Sequence, residues 1–122
     1  MAGKKTILIV DDDVLASEQL KSFLEGQGFF VAQASDGAIA LKLIEGKAPD
    51  LIILDIVMPK MDGFTVAKEL RYNDKTKQIP IIVLSAKEGM KELFAIEGIN
   101  DYMIKPVDNE GLLGLIRQRL NC

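Results

Sequence analysis

The sequence predicts an α/β fold of the doubly wound kind, a five-stranded parallel sheet between two layers of helices. Three observations predict it. Apolar runs of strand length alternate with stretches of helical periodicity along the whole chain. Two of those runs, Thr6-Ile7-Leu8-Ile9-Val10 and Leu51-Ile52-Ile53-Leu54, are aliphatic almost throughout, as strands buried on both faces of a parallel sheet are. Both runs empty into carboxylates, Asp11-Asp12-Asp13 and Asp55, and open α/β sheets place their chemistry at the carboxyl ends of their strands.

Each element has its own signal. Residues 6–10 form the first strand. Asp13 caps a helix over about 14–26, where Ala16, Leu20, Phe23 and Leu24 share a face, and Gly26 and Gly28 end it. Phe29 to Ala32 reads as a second strand, short and mixed in character, which suits a sheet edge. Ser35-Asp36-Gly37 starts a second helix, whose stripe of Ala40, Leu43 and Ile44 runs up to Gly46 and Pro49. The third strand follows, and Pro59 rules out a long helix directly after it. A helix with Gly63, Val66, Ala67 and Leu70 on one side leads through a polar loop at about 72–79 to Pro80 and the fourth strand, Ile81 to Leu84. Met90, Leu93 and Phe94 mark a helix of about two turns before Gly98, short for its position. A fifth strand near Asp101–Ile104 ends at Lys105-Pro106, and Leu112, Ile116 and Leu120 mark the closing helix. The most aliphatic strands, the first, third and fourth, belong inside the sheet. Order 2-1-3-4-5 satisfies that, with its switch point between strands one and three.

A chain of 122 residues is expected to be one domain over 1–122. Its composition, 48% hydrophobic and 27% charged, is that of a soluble globular protein, and a net charge of −3 argues against a broad nucleic-acid surface. No apolar run spans a bilayer and no secretory signal follows the first residues, so a cytoplasmic protein is expected, without membrane contact. The single cysteine, Cys122, leaves no intramolecular disulfide and no thiolate metal site. Histidine is absent, which removes Ser-His-Asp and Cys-His nucleophilic arrangements and the common zinc sites together. Chemistry must therefore run on carboxylates, hydroxyls, lysines and a hard cation.

The strand ends bring Asp11, Asp12, Asp55, Ser85 and Lys105 to one crevice. Carboxylates about 4 Å apart repel by roughly 4 kcal/mol per pair at an effective dielectric near 20, so such a cluster takes up protons or binds a cation. Oxygen-only ligation completed by waters suits Mg²⁺. A lysine suits phosphate and Ser85 supplies a hydroxyl donor. A metal, an ammonium and a hydroxyl facing one carboxylate make a site for phosphoryl transfer onto that carboxylate.

Ile9-Val10-Asp11-Asp12, Asp55 with Met58-Pro59 and Asp62-Gly63, Ser85-Ala86, and Tyr102-Met103-Ile104-Lys105-Pro106 stand in order at these strand ends. With them the sequence resembles the receiver domains of two-component response regulators, the chemotaxis-regulator-like type, over essentially its whole length. The resemblance implies a flavodoxin-like three-layer sandwich and a phosphorylation-switched signalling module whose only catalysis acts on itself. By the resemblance, Asp55 accepts the phosphoryl group from a phosphohistidine on a sensor histidine kinase or phosphotransfer protein. Asp12 and Asp55 ligate Mg²⁺, Asp11 holds a coordinated water, and the backbone carbonyl of Val57 completes the set. Lys105 pairs with the carboxylate and then with phosphoryl oxygens, across a cis Lys105–Pro106 bond. Ser85 and Tyr102 are the switch pair, hydroxyl onto phosphoryl oxygen and ring turned inward. The output is altered affinity of the face built by the fourth helix, fifth strand and fifth helix for a downstream protein, or for a second copy as a phosphorylation-dependent dimer. The short interval from Ser85 to Lys105 departs from the family and bears on that face. Val57 and Lys87, two residues past Asp55 and Ser85, occupy positions that tune phosphoryl lifetime, and Val57 offers no group to orient water, so slow self-dephosphorylation is expected.

Plainer roles stand beside these. Asp13 reads best as a helix cap, Lys60 and Lys87 as surface charges, and Met58 and Met90 as packing. Ser85 alone would be an ordinary turn serine and Tyr102 an ordinary edge-strand ring. A phosphate-independent interaction module on the same fold is the alternative, against which the complete acidic crevice argues. A flavodoxin needs a hydroxyl- and glycine-rich phosphate loop after strand one, where Asp11-Asp12-Asp13 would repel phosphate. An aspartyl-phosphate hydrolase usually carries a second carboxylate where this chain has Val57. The chain stops just after its last helix, as a stand-alone receiver or a fragment of a longer regulator would.

Overall fold

The computed structural model describes residues 3–55, 63–86 and 89–122. Among the described residues ten elements alternate: β1 (Thr6–Val10), α1 (Val14–Gly26), β2 (Phe30–Ala34), α2 (Gly37–Gly46), β3 (Leu51–Asp55), α3 (Gly63–Arg71), β4 (Ile81–Ser85), α4 (Lys91–Ile96), β5 (Asp101–Ile104) and α5 (Asn109–Leu120). The strands pair in parallel in the order β2-β1-β3-β4-β5, as the gradation of aliphatic character predicts. Every residue of β4 is buried, as are all of β3 before Asp55 and the last four of β1, whereas the edge strands β2 and β5 are largely part-exposed.

Side chains alternate across a strand, so a strand covered on both sides feeds two cores. On one face Leu8, Val10, Ile52, Leu54 and Val83 meet α2, α3 and Phe94 of α4. On the other, Ile7, Ile9, Ile53 and Ile82 meet Leu24 of α1 and Leu112 and Ile116 of α5. Gly63, Val66, Ala67 and Leu70 are the buried side of α3, as their spacing predicts.

Among the described residues aspartates start three helices. Asp13, Asp36 and Asp108 each sit in extended backbone and accept from an amide three residues on, at 3.1 Å (Ala16), 2.8 Å (Ile39) and 3.1 Å (Gly111).

Three local expectations shift. β2 begins at Phe30 and runs to Ala34, because the amide of Phe29 donates to the carbonyl of Leu24 and belongs to the end of α1. Leu43 and Leu93, placed on apolar stripes by their spacing, are exposed, and burial on α2 falls to Gly37, Ala40 and Ile44. On the sheet faces aliphatic residues are read correctly, but a ten-residue or six-residue helix presents too narrow a stripe to bury every apolar residue it carries.

Asp36 is buried where Asp108 is exposed, and losing a buried cap strands an amide away from water. Asp36→Ala is expected to cost about 1–2 kcal/mol and Asp108→Ala about 0.5–1 kcal/mol in urea denaturation. Equal losses would contradict this assignment of the α2 start.

Candidate functional site

The site is a consequence of register. β1 and β3 run side by side with Val10 opposite Leu54, so Asp11 and Asp55, each one residue further on, emerge together. β3 and β4 pair Asp55 with Leu84, and β4 and β5 pair Ser85 with Ile104, which brings Lys105 to the same end of the sheet. Two backbone hydrogen bonds extend the ladders past the strands: Asp11 donates to Ala34 at 3.0 Å and Lys105 to Ser85 at 2.8 Å. The Lys105–Pro106 peptide bond is cis, as the resemblance implies.

Carboxylate oxygens of Asp11, Asp12 and Asp55 lie within 4.8 Å of one another. Asp12 is exposed, while the side chains of Asp11 and Asp55 keep only 11% and 13% of their exposure. The ammonium of Lys105 stands 3.5 Å from Asp55 and 3.9 Å from Asp11. Asp11 also does local structural work, its Oδ1 accepting the amide of Asp13 at 2.9 Å and fixing the turn into α1.

Burial raises the pKa of Asp11 from its ordinary 3.8 to about 6, against the opposing hydrogen bond from the Asp13 amide. The charge of Asp55 and a hydrogen bond shared with it push the same way, and Lys105 pulls back. The pocket thus carries more negative charge than one lysine neutralises, and a proton or a cation relieves it. A six-coordinate ion with oxygens at about 2.0–2.1 Å spaces its ligands about 2.9 to 4.2 Å apart. The three carboxylates fit such an ion if one of them acts through a coordinated water. Asp11, Asp12 and Asp55 are the residues that would hold it.

Ser85, 1% exposed, closes the fully buried β4 beside Lys105. Tyr102 lies opposite Val83 in β5, two residues before the Ser85 pairing and so on the same face of the sheet as Ser85. Its half-buried ring packs 5.8 Å from that of Phe94. Of the five crevice residues expected from the strand ends, Asp11, Asp12, Asp55 and Lys105 are therefore together, and Ser85 lies at the same end of the sheet. Val57 with its backbone carbonyl, Met58-Pro59, Lys60, Asp62 and Lys87 lie outside the described residues. Sequence reading missed Phe94 as the partner of Tyr102. The one aromatic in a short helical stretch was the available signal.

A 2-1-3-4-5 parallel sheet with three carboxylates and a lysine at its switch point defines a flavodoxin-like domain of the receiver class. The model of the response regulator receiver domain matches residues 7–117, and the chain belongs to that family. It is the phosphorylation-switch module of two-component signalling. Among similar curated proteins are the DNA-binding dual master transcriptional regulator RpaA of Synechocystis, 40% identical over 93% of this chain and 48% of its own length, and response regulator MprA of a Mycobacterium species, 40% identical over 93% of this chain and 50% of its own. The chain spans about half the length of the curated relatives it matches. A response regulator structure from Chloroflexus aurantiacus superposes with a TM-score of 0.91 at 35% identity, covering 98% of this chain and 99% of that one. Response regulator TrrA of Thermotoga maritima, solved in complex with Mg²⁺-BeF, superposes at 0.86 with 34% identity over 95% and 99%. Among the described residues no helix is long and apolar enough to cross a membrane.

Asp11 binds its proton more tightly folded than unfolded, so its contribution favours the fold most below pH 3.8 and is lost as pH rises through about 6. In a chelating buffer, Asp11→Asn is expected to be more stable than wild type at pH 7.5 and to lose most of that advantage by pH 4.5, by urea denaturation. An equal difference at both pH values would contradict the shift.

Proposed function

We propose that the domain accepts a phosphoryl group on Asp55 from the phosphohistidine of a sensor histidine kinase or phosphotransfer protein. The observation that supports this best is the convergence of Asp11, Asp12 and Asp55 with the Lys105 ammonium 3.5 Å from the Asp55 carboxylate. An oxygen of Asp55 attacks phosphorus, the phosphorus–nitrogen bond breaks, and the histidine ring of the donor leaves with that electron pair. Asp11, Asp12 and Asp55, with the Val57 carbonyl, would hold Mg²⁺, which would neutralise charge on the phosphoryl oxygens. The family and the Mg²⁺-BeF complex of the Thermotoga maritima relative support that cofactor.

Lys105 loses an Asp55 negative charge and gains phosphoryl oxygens, which it meets as a point charge. Ser85 donates its hydroxyl to one of those oxygens, and Tyr102 turns inward behind it. The domain is no conventional enzyme, since its catalysis acts only on its own carboxylate. One domain over 1–122, acting in the cytoplasm, carries the switch. Its output is a changed affinity of the face formed by α4, β5 and α5 for a downstream protein or for a second copy, with no direct nucleic-acid contact. Ile96 and Ile104 are exposed there, which supports an apolar contact.

Intact mass after incubation with Mg²⁺ and acetyl phosphate tests the reading. Wild type is expected to gain one phosphoryl group, dependent on Mg²⁺, and Asp55→Asn none. Lys105→Ala is expected to slow the gain by roughly 10²–10³-fold, as loss of a charge-stabilising donor does. No adduct and no Mg²⁺ binding would turn the reading to a phosphate-independent interaction module.

Val57 offers no side chain to orient a water, so the adduct is expected to persist for minutes or longer in purified protein with Mg²⁺. A half-life of seconds would contradict that expectation.

A further inference from the structure

The weakest-held helix of the described chain is α4, six residues long. Its start at Met90 has no side-chain cap, and Ile96 on its outer side is 78% exposed. At its end a carboxylate oxygen of Glu97 is buried without a hydrogen-bond partner, a costly arrangement. What anchors α4 is Phe94, 0% exposed and the only buried residue of the helix. Its ring stands between two others: Phe64 of α3 meets it edge to face at 5.2 Å, and Tyr102 of β5 lies tilted at 5.8 Å on the other contact. Three aromatics thus run from α3 through α4 to β5.

We propose that Phe94 is a positioning residue through which Tyr102 and α4 move as one unit. This rests on the reading of Tyr102 as a switch residue and says how its motion reaches the surface. A ring that is the sole buried anchor of a short helix cannot lose its neighbour without loosening that helix. Displacing α4 also frees the Glu97 oxygen to reach water, so the helix has a second position within reach. Leu93 and Ile96 on α4 change presentation as it moves.

A double-mutant cycle on the unphosphorylated protein tests the coupling, read by hydrogen exchange of the amides of residues 91–97. Phe94→Leu and Tyr102→Leu are each expected to speed exchange about 3- to 10-fold, and the double variant no more than the faster single. Effects that multiply would show independent rings and overturn the proposal. Should Phe94→Leu fail to fold, Phe64→Leu at the half-buried end of the row takes its place in the cycle, with the same expectation. Phosphorylation adds a second arm. The chain has two tyrosines and no tryptophan, so in a Tyr72→Phe background Tyr102 is the sole reporter of tyrosine emission. With the adduct confirmed by mass, Tyr102 emission and α4 exchange are expected to change together in that background. Adding Phe94→Leu should leave the emission change and abolish the exchange change. An adduct with the α4 response unaltered by Phe94→Leu overturns the lever. Failure to form an adduct sinks the phosphoryl-acceptor reading, and the cycle alone then decides the coupling.

Discussion

Val10 and Leu54 lie side by side in the centre of the sheet, and little freedom remains in that pairing. Each strand is buried on both faces, so a slip of one residue would carry aliphatic side chains from one core to the other and pull the ladders out of register with β2 and β4. The cost of any such slip is shared among three neighbouring strand pairs. Asp11 and Asp55 therefore need no contact of their own to find each other. Packing of apolar residues below holds the two carboxylates together above, where their own charges would part them.

That enforced proximity explains the electrostatics. An exposed acidic pair would spread apart or be screened by solvent. Here Asp11 and Asp55 are mostly buried and face one lysine between them. The Asp13 amide holds Asp11 from the other side, so the carboxyl is fixed by the same turn that starts α1. A site assembled in this way stores an unmet demand for positive charge. The fold meets the demand in part with Lys105, whose placement depends on the β4–β5 pairing and on the backbone bond to Ser85.

Strands β1, β3 and β4 and the residues at their ends were legible because burial on both faces leaves a plain mark, an unbroken aliphatic run, and because carboxylates after such a run have few structural uses. The edges were less legible. Phe29 looks like strand, yet its amide closes the end of α1, a choice that depends on where the helix stops. Leu43 and Leu93 fit helical spacing but face solvent, since neither α2 nor α4 has a neighbour covering that side. Polar contacts between elements left no sequence signal at all. Arg119 grips Asp101 through two hydrogen bonds of 2.7 Å, and Arg71 donates to the carbonyls of Lys77 and Ile79 at 2.9 Å, each joining a helix to a segment whose distance in space the sequence does not state.

α5 and α4 differ in how firmly they are held. α5 has an aspartate cap at its start, a left-handed Asn121 at its end and three buried residues against the sheet. α4 has half the length, no capping side chain and one buried residue, and the two helices flank the same strand, β5. Local stability in a fold follows buried apolar contact and satisfied backbone, so opening should begin at α4 while α5 stays in place. Gly98, at a φ of 80°, turns the chain out of α4 in a conformation other residues adopt only with strain. A perturbation that reaches Phe94 need supply little free energy to be felt at such an element. Shortening the helix has reduced its number of anchors to one, and whatever moves that anchor moves the helix.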